Sequence, residues 1–220
     1  SKEDVISLRF KKFSNPYKDG QEISLLGNVR SYSWQVDENK NKVDIRYAFC
    51  FPDSYEIGLS NLGLQILYGV LNREEDVWCE RVYDPWLDMQ EQMKEHNIPL
   101  TACESGDPLT AFDMIGFTLQ YEMSYTAILH MLELAGVPLR AADRDDSMPI
   151  VIGGGPCAYN PEPVADFFDL FNIGEGEEML PELCRLYIKM KDEGRYTKEA
   201  YLHEAASTIE GIYVPSLYEV

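Results

Sequence analysis

Two glycine clusters have the types and spacing that most directly suggest contact with a ligand. They are Gly153-Gly154-Gly155 and Gly174-Glu175-Gly176. Glycine lets a planar ring or base lie flat against the backbone, which side chains would prevent. Glycines entering a helix can also cradle phosphate, but Glu175 and the glutamates after it would repel an anion. The amides of Gly174 and Gly176 remain candidates for contacting ligand amides. The alternative is a glycine turn in an α/β domain that binds nothing.

Two further segments place polar side chains just after apolar runs. The first is Asp53-Ser-Tyr-Glu-Ile-Gly58 and the second is Gly116-Phe-Thr-Leu-Gln120. Within them the candidate ligand contacts are Asp53, Tyr55, Gly58, Thr118 and Gln120. The alternative assignment is structural: Asp53 and Tyr55 are also typical of a turn aspartate and a packed ring, and Thr118 of an ordinary strand residue.

No residue qualifies as a general acid, base or nucleophile by convergent spacing, so we assign no catalysis to this chain alone. The five cysteines are widely separated and form no CxxC or CxxxCxxC motif, which signals neither a zinc site nor a local iron–sulfur site. The three histidines are far apart and have no metal-ligand spacing. We therefore expect reduced, mostly buried thiols and no metal site.

The charge balance limits the partners of the chain. Lys and Arg number 19 against 38 Asp and Glu, for a formal net charge of −19. This argues against a nucleic-acid partner, because a phosphate backbone requires clustered cations. No apolar run approaches about 20 residues, which argues against a membrane span. The first residues carry charges and no apolar stretch of a signal peptide, so we expect a cytoplasmic protein.

Five apolar segments alternate with helical patterns from residue 43 onward. We predict strands at 43–51, 77–83, 112–119, 149–153 and 170–173, with 212–214 as a terminal strand or the start of a linker. The predicted helices cover about 62–71, 85–96, 124–135, 160–168, the segment after 178, and 198–206. Gly136 stands where a residue terminating a helix should, with Pro138 two residues later.

This alternation predicts an α/β fold: a flavodoxin-like, Rossmann-like five-stranded parallel sheet of order 2-1-3-4-5. Residues 1–42 are polar and irregular and are predicted to form an N-terminal appendage, with a possible short strand at 31–36. The domain would span 43–215, and 216–220 would begin a linker. Ligands of such sheets bind outside the carboxyl ends of the strands. That rule selects the segments 52–60, 120–124, 153–160 and 174–178.

The motifs in these segments resemble those of cobalamin-binding domains. Asp53-Ser-Tyr-Glu-Ile-Gly58 is similar to the D-x-H-x-x-G motif, with Tyr55 in the histidine place. Gly116-Phe-Thr-Leu-Gln120 is similar to G-x-S-x-L, with Thr118 in the serine place and Gln120 in the leucine place. Val151-Ile-Gly-Gly-Gly155 resembles the glycine pair under the cofactor tail. The runs at 153–164 and 173–178 resemble the cobalamin-binding-like region of radical S-adenosylmethionine (SAM) proteins.

The resemblance implies a module that precedes a radical SAM domain in a longer protein. That absent C-terminal domain would carry CxxxCxxC, a 4Fe-4S cluster and S-adenosylmethionine, and it would be the partner of this chain. The resemblance implies cobalamin as the cofactor of the module itself. Because a neutral phenol is a poor ligand for cobalt, we expect a corrinoid bound base-off, without a protein nitrogen on its lower face.

Two other hypotheses remain. A degenerate module would keep the fold, bind no cofactor and serve for partner contact or substrate positioning; Tyr55 in the histidine place favours it. A flavin or phospho-acceptor domain of the same topology is the third hypothesis. It would need a Ser/Thr-rich loop after the first strand or an aspartate at the end of the third strand, and neither is present.

Overall fold

A computed structural model describes residues 43–218 of the chain, in which helices cover both faces of one sheet. The predicted appendage at 1–42, including the strand at 31–36, lies outside the described residues. The strands and helices, in chain order, are β1 Ile45–Phe51, α1 Tyr55–Gly58, α2 Leu62–Leu71, β2 Val77–Tyr83, α3 Leu87–Glu95, β3 Met114–Thr118, α4 Tyr125–Ala135, β4 Ile150–Gly154, β5 Leu170–Asn172, α5 Gly176–Asp192, α6 Lys198–Thr208 and β6 Ile212–Tyr213.

The sheet has six strands in the order β2-β1-β3-β4-β5-β6, so the first five have the predicted order 2-1-3-4-5. These five are parallel. The prediction of exactly five strands is wrong, because β6 pairs antiparallel with β5. The chain reverses at Gly211, whose φ of +84° suits glycine and whose carbonyl accepts the amide of Ile173. The outer edge of β5 is thereby covered.

Local signals explain where the helices begin and end. Asn61 caps α2 by accepting the amide of Leu64 at 2.9 Å. Gly136 ends α4 in the left-handed conformation, with φ +70°, as predicted. Two predictions were wrong: the short helix α1 lies within the predicted loop 52–60, and the predicted helix at 160–168 is a 3₁₀ helix, Glu162–Phe167.

Each face of the sheet has its own apolar core, as the alternation of side chains along parallel strands requires. On the first face, α2, α5 and α6 cover a cluster that includes Tyr47, Phe49 and Tyr83. On the second face, α3 and α4 cover a cluster that includes Phe117 and Phe171. No helix within the described residues combines the length and apolar character that crossing a membrane requires.

The edge strand β2 is protected by the segment that follows α3. The amide of Arg81 donates to Glu104 Oε2 at 2.8 Å, and the Arg81 carbonyl accepts the amide of Cys103. Arg81 Nε and Glu104 Oε1 form an ion pair at 2.7 Å with both side chains buried. These contacts occupy the backbone groups on the outer edge of β2 at Arg81, where another strand would otherwise pair.

Candidate functional site

The carboxyl ends of β1–β5 bring the predicted ligand contacts to one edge of the sheet. Within that edge, strand register aligns Thr118 with Gly154, and Gly154 with Asn172. Most of the predicted residues form the end of a strand or the turn after it; Gly58 ends α1 and Gly176 begins α5. They are Asp53, Tyr55, Gly58, Thr118, Gln120, Gly153, Gly154, Gly155, Gly174 and Gly176.

Two tyrosine rings pack together in the region that follows β1. The ring of Tyr55 packs edge-on against that of Tyr83, with centroids 5.1 Å apart. Burial raises the pKa of Tyr55 to about 12, so its phenol stays neutral at ordinary pH. A Cβ at Gly58 would lie 2.5 Å from the Tyr83 ring. Gly58 therefore lacks a side chain because Tyr83 fills its place, and Asp53 caps the local turn by accepting the amide of Ser54 at 2.6 Å.

Thr118 and Gln120 contact one another at the end of β3. The Gln120 side-chain amide donates to the hydroxyl of Thr118, which is itself buried. Thr118 is thus held on the first face of the sheet beside Gly154. The pair leaves a polar patch at the centre of the carboxyl edge.

The three consecutive glycines have three different roles. A Cβ at Gly153 would lie 2.7 Å from the Phe171 ring, so this glycine is required by packing on the second face. A Cβ at Gly154 would meet nothing closer than Asn172, at 3.8 Å, so the first face above Gly154 is open. Gly155 has φ +97°, which a side chain would strain. Only Gly154 and Gly155 lie where a ligand could reach them.

Leu67 of α2 lies against the first residue of α5, Gly176. A Cβ at Gly176 would lie 3.0 Å from Leu67 and 3.6 Å from the side-chain nitrogen of Asn172, so these two side chains already occupy the space beside Gly176. Gly174, in the preceding turn, is exposed and has φ +154°.

Asn172 is a candidate that the sequence reasoning missed. It is 5% exposed, and its Oδ1 is buried with no hydrogen-bond partner in the described structure. A buried polar atom without a partner costs free energy unless a ligand or water completes it. A polar residue within the short apolar strand at 170–173 was the available sequence signal.

An apolar rim surrounds this edge and was also missed. Of ten exposed large hydrophobic side chains in residues 43–218, eight follow β1–β4 or lie in the first two turns of the next helix. Met123 is 85% exposed and Trp86 is 65% exposed. Clustered exposed apolar residues mark contact surfaces. The apolar rim consists of Ile57, Leu62, Ile66, Trp86, Leu87, Tyr121, Met123 and Tyr159.

One acidic group at the edge has an altered proton affinity. Burial raises the pKa of Asp84, which follows β2, and nearby His130 opposes that rise. Their closest atoms, Asp84 Oδ1 and His130 Nδ1, are 3.5 Å apart. Within residues 43–218 no three His, Cys, Asp or Glu side chains converge as metal ligands.

Two comparisons with known proteins found a match. The model of the family described as "Radical SAM proteins, N-terminal" matches residues 63–215. An uncharacterized protein of Methanocaldococcus jannaschii is 28% identical over 152 residues, which make up 69% of this chain and 28% of that protein. The chain thus spans less than a third of the length of this relative. No solved structure matches the chain.

Proposed function

Because this chain belongs to the N-terminal family of radical SAM proteins, we propose that it is the corrinoid-holding module of a larger radical SAM enzyme. The cofactor lies base-off on the carboxyl edge of the sheet. The radical SAM domain, with its 4Fe-4S cluster and S-adenosylmethionine, faces the same edge. When bound, the corrinoid would supply the cobalt centre for methyl transfer or related chemistry.

The observation that carries this proposal is the uncovered backbone at Gly154, at the same edge of the sheet as the apolar rim. Gly154 leaves the backbone accessible on the first face, and Gly155 after it is exposed, so a flat ring system can approach the chain there. The apolar rim around them matches a surface that is covered by another body in the complete protein. Both features lie at the carboxyl edge of the sheet, the edge at which ligands of doubly wound sheets bind.

The residues at this edge fit a corrinoid in part. Gly154 leaves room at the backbone, and the hydroxyl of Thr118, which accepts from Gln120, lies on the neighbouring strand. Tyr55 does not fit a lower ligand of cobalt, because its neutral phenol is packed against Tyr83. The module would therefore hold the ring by contact and hydrogen bonds, without a bond to the metal.

The apolar rim favours the radical SAM domain as its partner. That domain would be joined to this chain in one protein, which gives it a high effective concentration at the rim. The matched relative is more than three times as long as the region it shares with this chain, which leaves ample length for such a domain. Docking would bury Trp86, Tyr121 and Met123, the types of side chain that anchor interfaces.

A second candidate function is a docking module without cofactor. It is favoured by the rings that already fill the space beside three glycines: Tyr83 at Gly58, Tyr47 at Gly116 and Phe171 at Gly153. Such a module would use the same apolar rim, and would close the catalytic chamber or position substrate.

Retention of a corrinoid by the purified protein distinguishes the two candidate functions. The full-length protein is incubated with hydroxocobalamin, passed over gel filtration and examined by its visible spectrum. We expect wild type to retain the corrinoid and Gly154→Val to lose it, since valine would cover the backbone there. Gly69→Ala, in α2 with no atom within 4 Å of an added Cβ, is the matched glycine control and should retain it. Absence of corrinoid from wild type would refute the proposal in favour of the docking module.

Glutamate substitutions in the apolar rim test whether the rim binds the radical SAM domain. The double variant Trp86→Glu/Met123→Glu should weaken association of this chain with a separately produced radical SAM domain, measured by analytical gel filtration. Leu139→Glu is the control, because Leu139 is exposed at 38% but lies after α4, at the opposite edge. If the rim variant and the control associate equally well, the apolar rim is not the surface that binds the radical SAM domain.

A further inference from the structure

Charge is distributed unevenly between the two ends of the sheet. Six exposed glutamates lie at the carboxyl edge, and none of them forms an ion pair with a described residue. We call these six the acidic group: Glu56, Glu122, Glu162, Glu175, Glu177 and Glu178. The segments that lead from β1–β5 into the next elements contain no Lys or Arg; they are 52–61, 84–86, 119–124, 155–162 and 173–178. No neighbouring Lys or Arg of these segments therefore offsets the negative charge of this edge.

The apolar rim shares this edge with the acidic group. Glu122 lies between Tyr121 and Met123 in the chain, and Glu56 directly precedes Ile57. All five of these residues are exposed. Clustered exposed apolar side chains mark a contact surface, and charge of the opposite sign selects the partner that binds there. The carboxyl edge is thus complementary to a partner that is both apolar and basic.

The chain itself contains a segment of this composition. Arg9-Phe10-Lys11-Lys12-Phe13, which we call the basic segment, has three basic and two aromatic residues and no acidic one. No other four consecutive residues of the chain include three Lys or Arg. In a chain with 38 acidic and 19 basic residues, such a segment is attracted to exposed carboxylates that have no cation of their own. The basic segment lies outside the described residues.

The carboxyl edge is within reach of the basic segment. The described chain begins at residue 43, at the amino end of β1, where the amide of Asp44 donates to the carbonyl of Asp76. The carboxyl edge lies one strand away, and the seven residues of β1 span about 23 Å at the usual rise of a strand. Residues 14–42 can extend over roughly 100 Å, several times that distance. The covalent tether also gives the segment a high effective concentration at the edge.

We propose that the basic segment binds the carboxyl edge of its own chain. Arg9, Lys11 and Lys12 lie against the acidic group, and Phe10 and Phe13 lie against the apolar rim. The segment covers the rim until the radical SAM domain docks, because segment and domain compete for the same surface. The inference goes beyond the proposed function, since it requires neither a corrinoid nor a second domain.

Oxidation of methionine by hydrogen peroxide measures whether the rim is covered. Met123 is 85% exposed at the rim of the described structure, whereas Met148 precedes β4 at the opposite edge. The chain of 220 residues is oxidised at low salt, and methionine sulfoxide at each position is followed by mass spectrometry. The triple variant Arg9→Glu/Lys11→Glu/Lys12→Glu should oxidise several-fold faster than wild type at Met123 and equally fast at Met148. Because salt screens exposed charges, adding NaCl to wild type should also speed oxidation of Met123.

The matched control reverses three other lysines of the same terminal region. The variant Lys18→Glu/Lys40→Glu/Lys42→Glu makes the same kind of charge change outside the basic segment. It should leave Met123 as protected as in wild type. Equal oxidation of Met123 in wild type and the Arg9→Glu/Lys11→Glu/Lys12→Glu variant would overturn the inference. Faster oxidation of Met123 in both variants would overturn it too, because it would show an effect of net charge alone.

Cross-linking identifies the contact and the chain that supplies it. A carbodiimide joins a lysine amine directly to a carboxylate that it touches, so Lys11 or Lys12 should become linked to members of the acidic group. In an equal mixture of ¹⁵N-labelled and unlabelled chains, the linked peptides should carry a single isotope. Links between peptides of different isotopes would overturn the proposal, because a second copy would then supply the segment.

The same measurements separate this inference from the proposed function. If Met123 is unprotected in wild type but the full-length protein retains hydroxocobalamin, the inference fails and the proposed function stands. If Met123 is protected and the full-length protein retains no corrinoid, the proposed function fails and the contact of the basic segment stands.

Discussion

Gly153 and Gly154 are neighbours in β4, yet the structure predicts opposite consequences for adding one methyl group to each. In Gly153→Ala the new Cβ would lie 2.7 Å from Phe171 Cδ1 and 3.1 Å from a methyl group of Leu119. Real carbon atoms do not approach so closely, so a neighbour must move. In Gly154→Ala the nearest atom is at 3.8 Å, an ordinary contact.

The cost of Gly153→Ala depends on whether Phe171 can move. Its ring is fully buried, 4.9 Å from the Phe168 ring and 6.2 Å from that of Tyr213, measured between centroids. Overpacking a fixed core of this kind costs about 1–3 kcal/mol. In a chain of this size each kcal/mol shifts Tm by about 2–4 °C. Gly154→Ala should be neutral or slightly stabilising, because it restricts the unfolded chain by about 0.4–1 kcal/mol.

Thermal unfolding followed by far-ultraviolet circular dichroism, with urea unfolding for the free energy, measures both variants. Gly153→Ala should melt several degrees below wild type and Gly154→Ala should not. Equal stability of the two variants would refute the assignment of Gly153 to packing and of Gly154 to the uncovered backbone. The comparison needs no ligand, so it tests whether the space beside each glycine is filled or open independently of any cofactor.

Three further predictions concern charge and backbone geometry. Glu104→Gln should cost about 3–5 kcal/mol in urea unfolding, since it leaves Arg81 buried without its charge partner; Glu74→Gln, at the exposed pair with Arg185, should cost at most about 1 kcal/mol. The raised pKa of Asp84 favours folding only below the pKa of the unfolded chain, and this contribution is lost as pH rises through the raised value. Asp84→Asn should therefore gain stability relative to wild type as pH rises from about 4, and a pH-independent difference would contradict this. Gly136→Ala should lower stability by about 1–2 kcal/mol because its φ is +70°, whereas Gly69→Ala should not.

Much of the fold could be predicted because its strands are buried on both faces. Such strands are nearly continuous apolar runs, and β2 was predicted at its observed bounds, Val77–Tyr83. The order of the first five strands followed from the alternation of strands and helices. The strand β6 has only two residues, so the sequence left 212–214 open between a terminal strand and a linker. The helix α1 has only four residues, too few for a recognisable periodic pattern.

The candidate site was only partly predictable, because its shape depends on side chains from distant positions in the sequence. Chain order was enough to bring the predicted residues to the carboxyl edge, since every parallel strand ends there. It could not show which glycine faces are filled, because the filling rings come from distant positions: Tyr83 covers Gly58, and Tyr47 covers Gly116. Nor could it show that Asn172 Oδ1 is buried without a hydrogen-bond partner among residues 43–218, which depends on how distant parts of the chain pack.

These contacts shift the expected ligand position from the crevice between β1 and β3 towards β4 and β5. In a doubly wound sheet the crevice lies between the first and third strands, where the chain reverses direction across the sheet. Here Tyr55 and Tyr83 pack over the ends of β1 and β2. The open backbone of Gly154 lies at the end of β4, and Asn172 Oδ1, which has no hydrogen-bond partner among residues 43–218, lies at the end of β5. A ligand at this edge must therefore lean away from the aspartate loop and towards β5. Gly154→Val should then weaken binding more than Asp53→Asn does, and the reverse order of affinities would place the ligand back between the first and third strands.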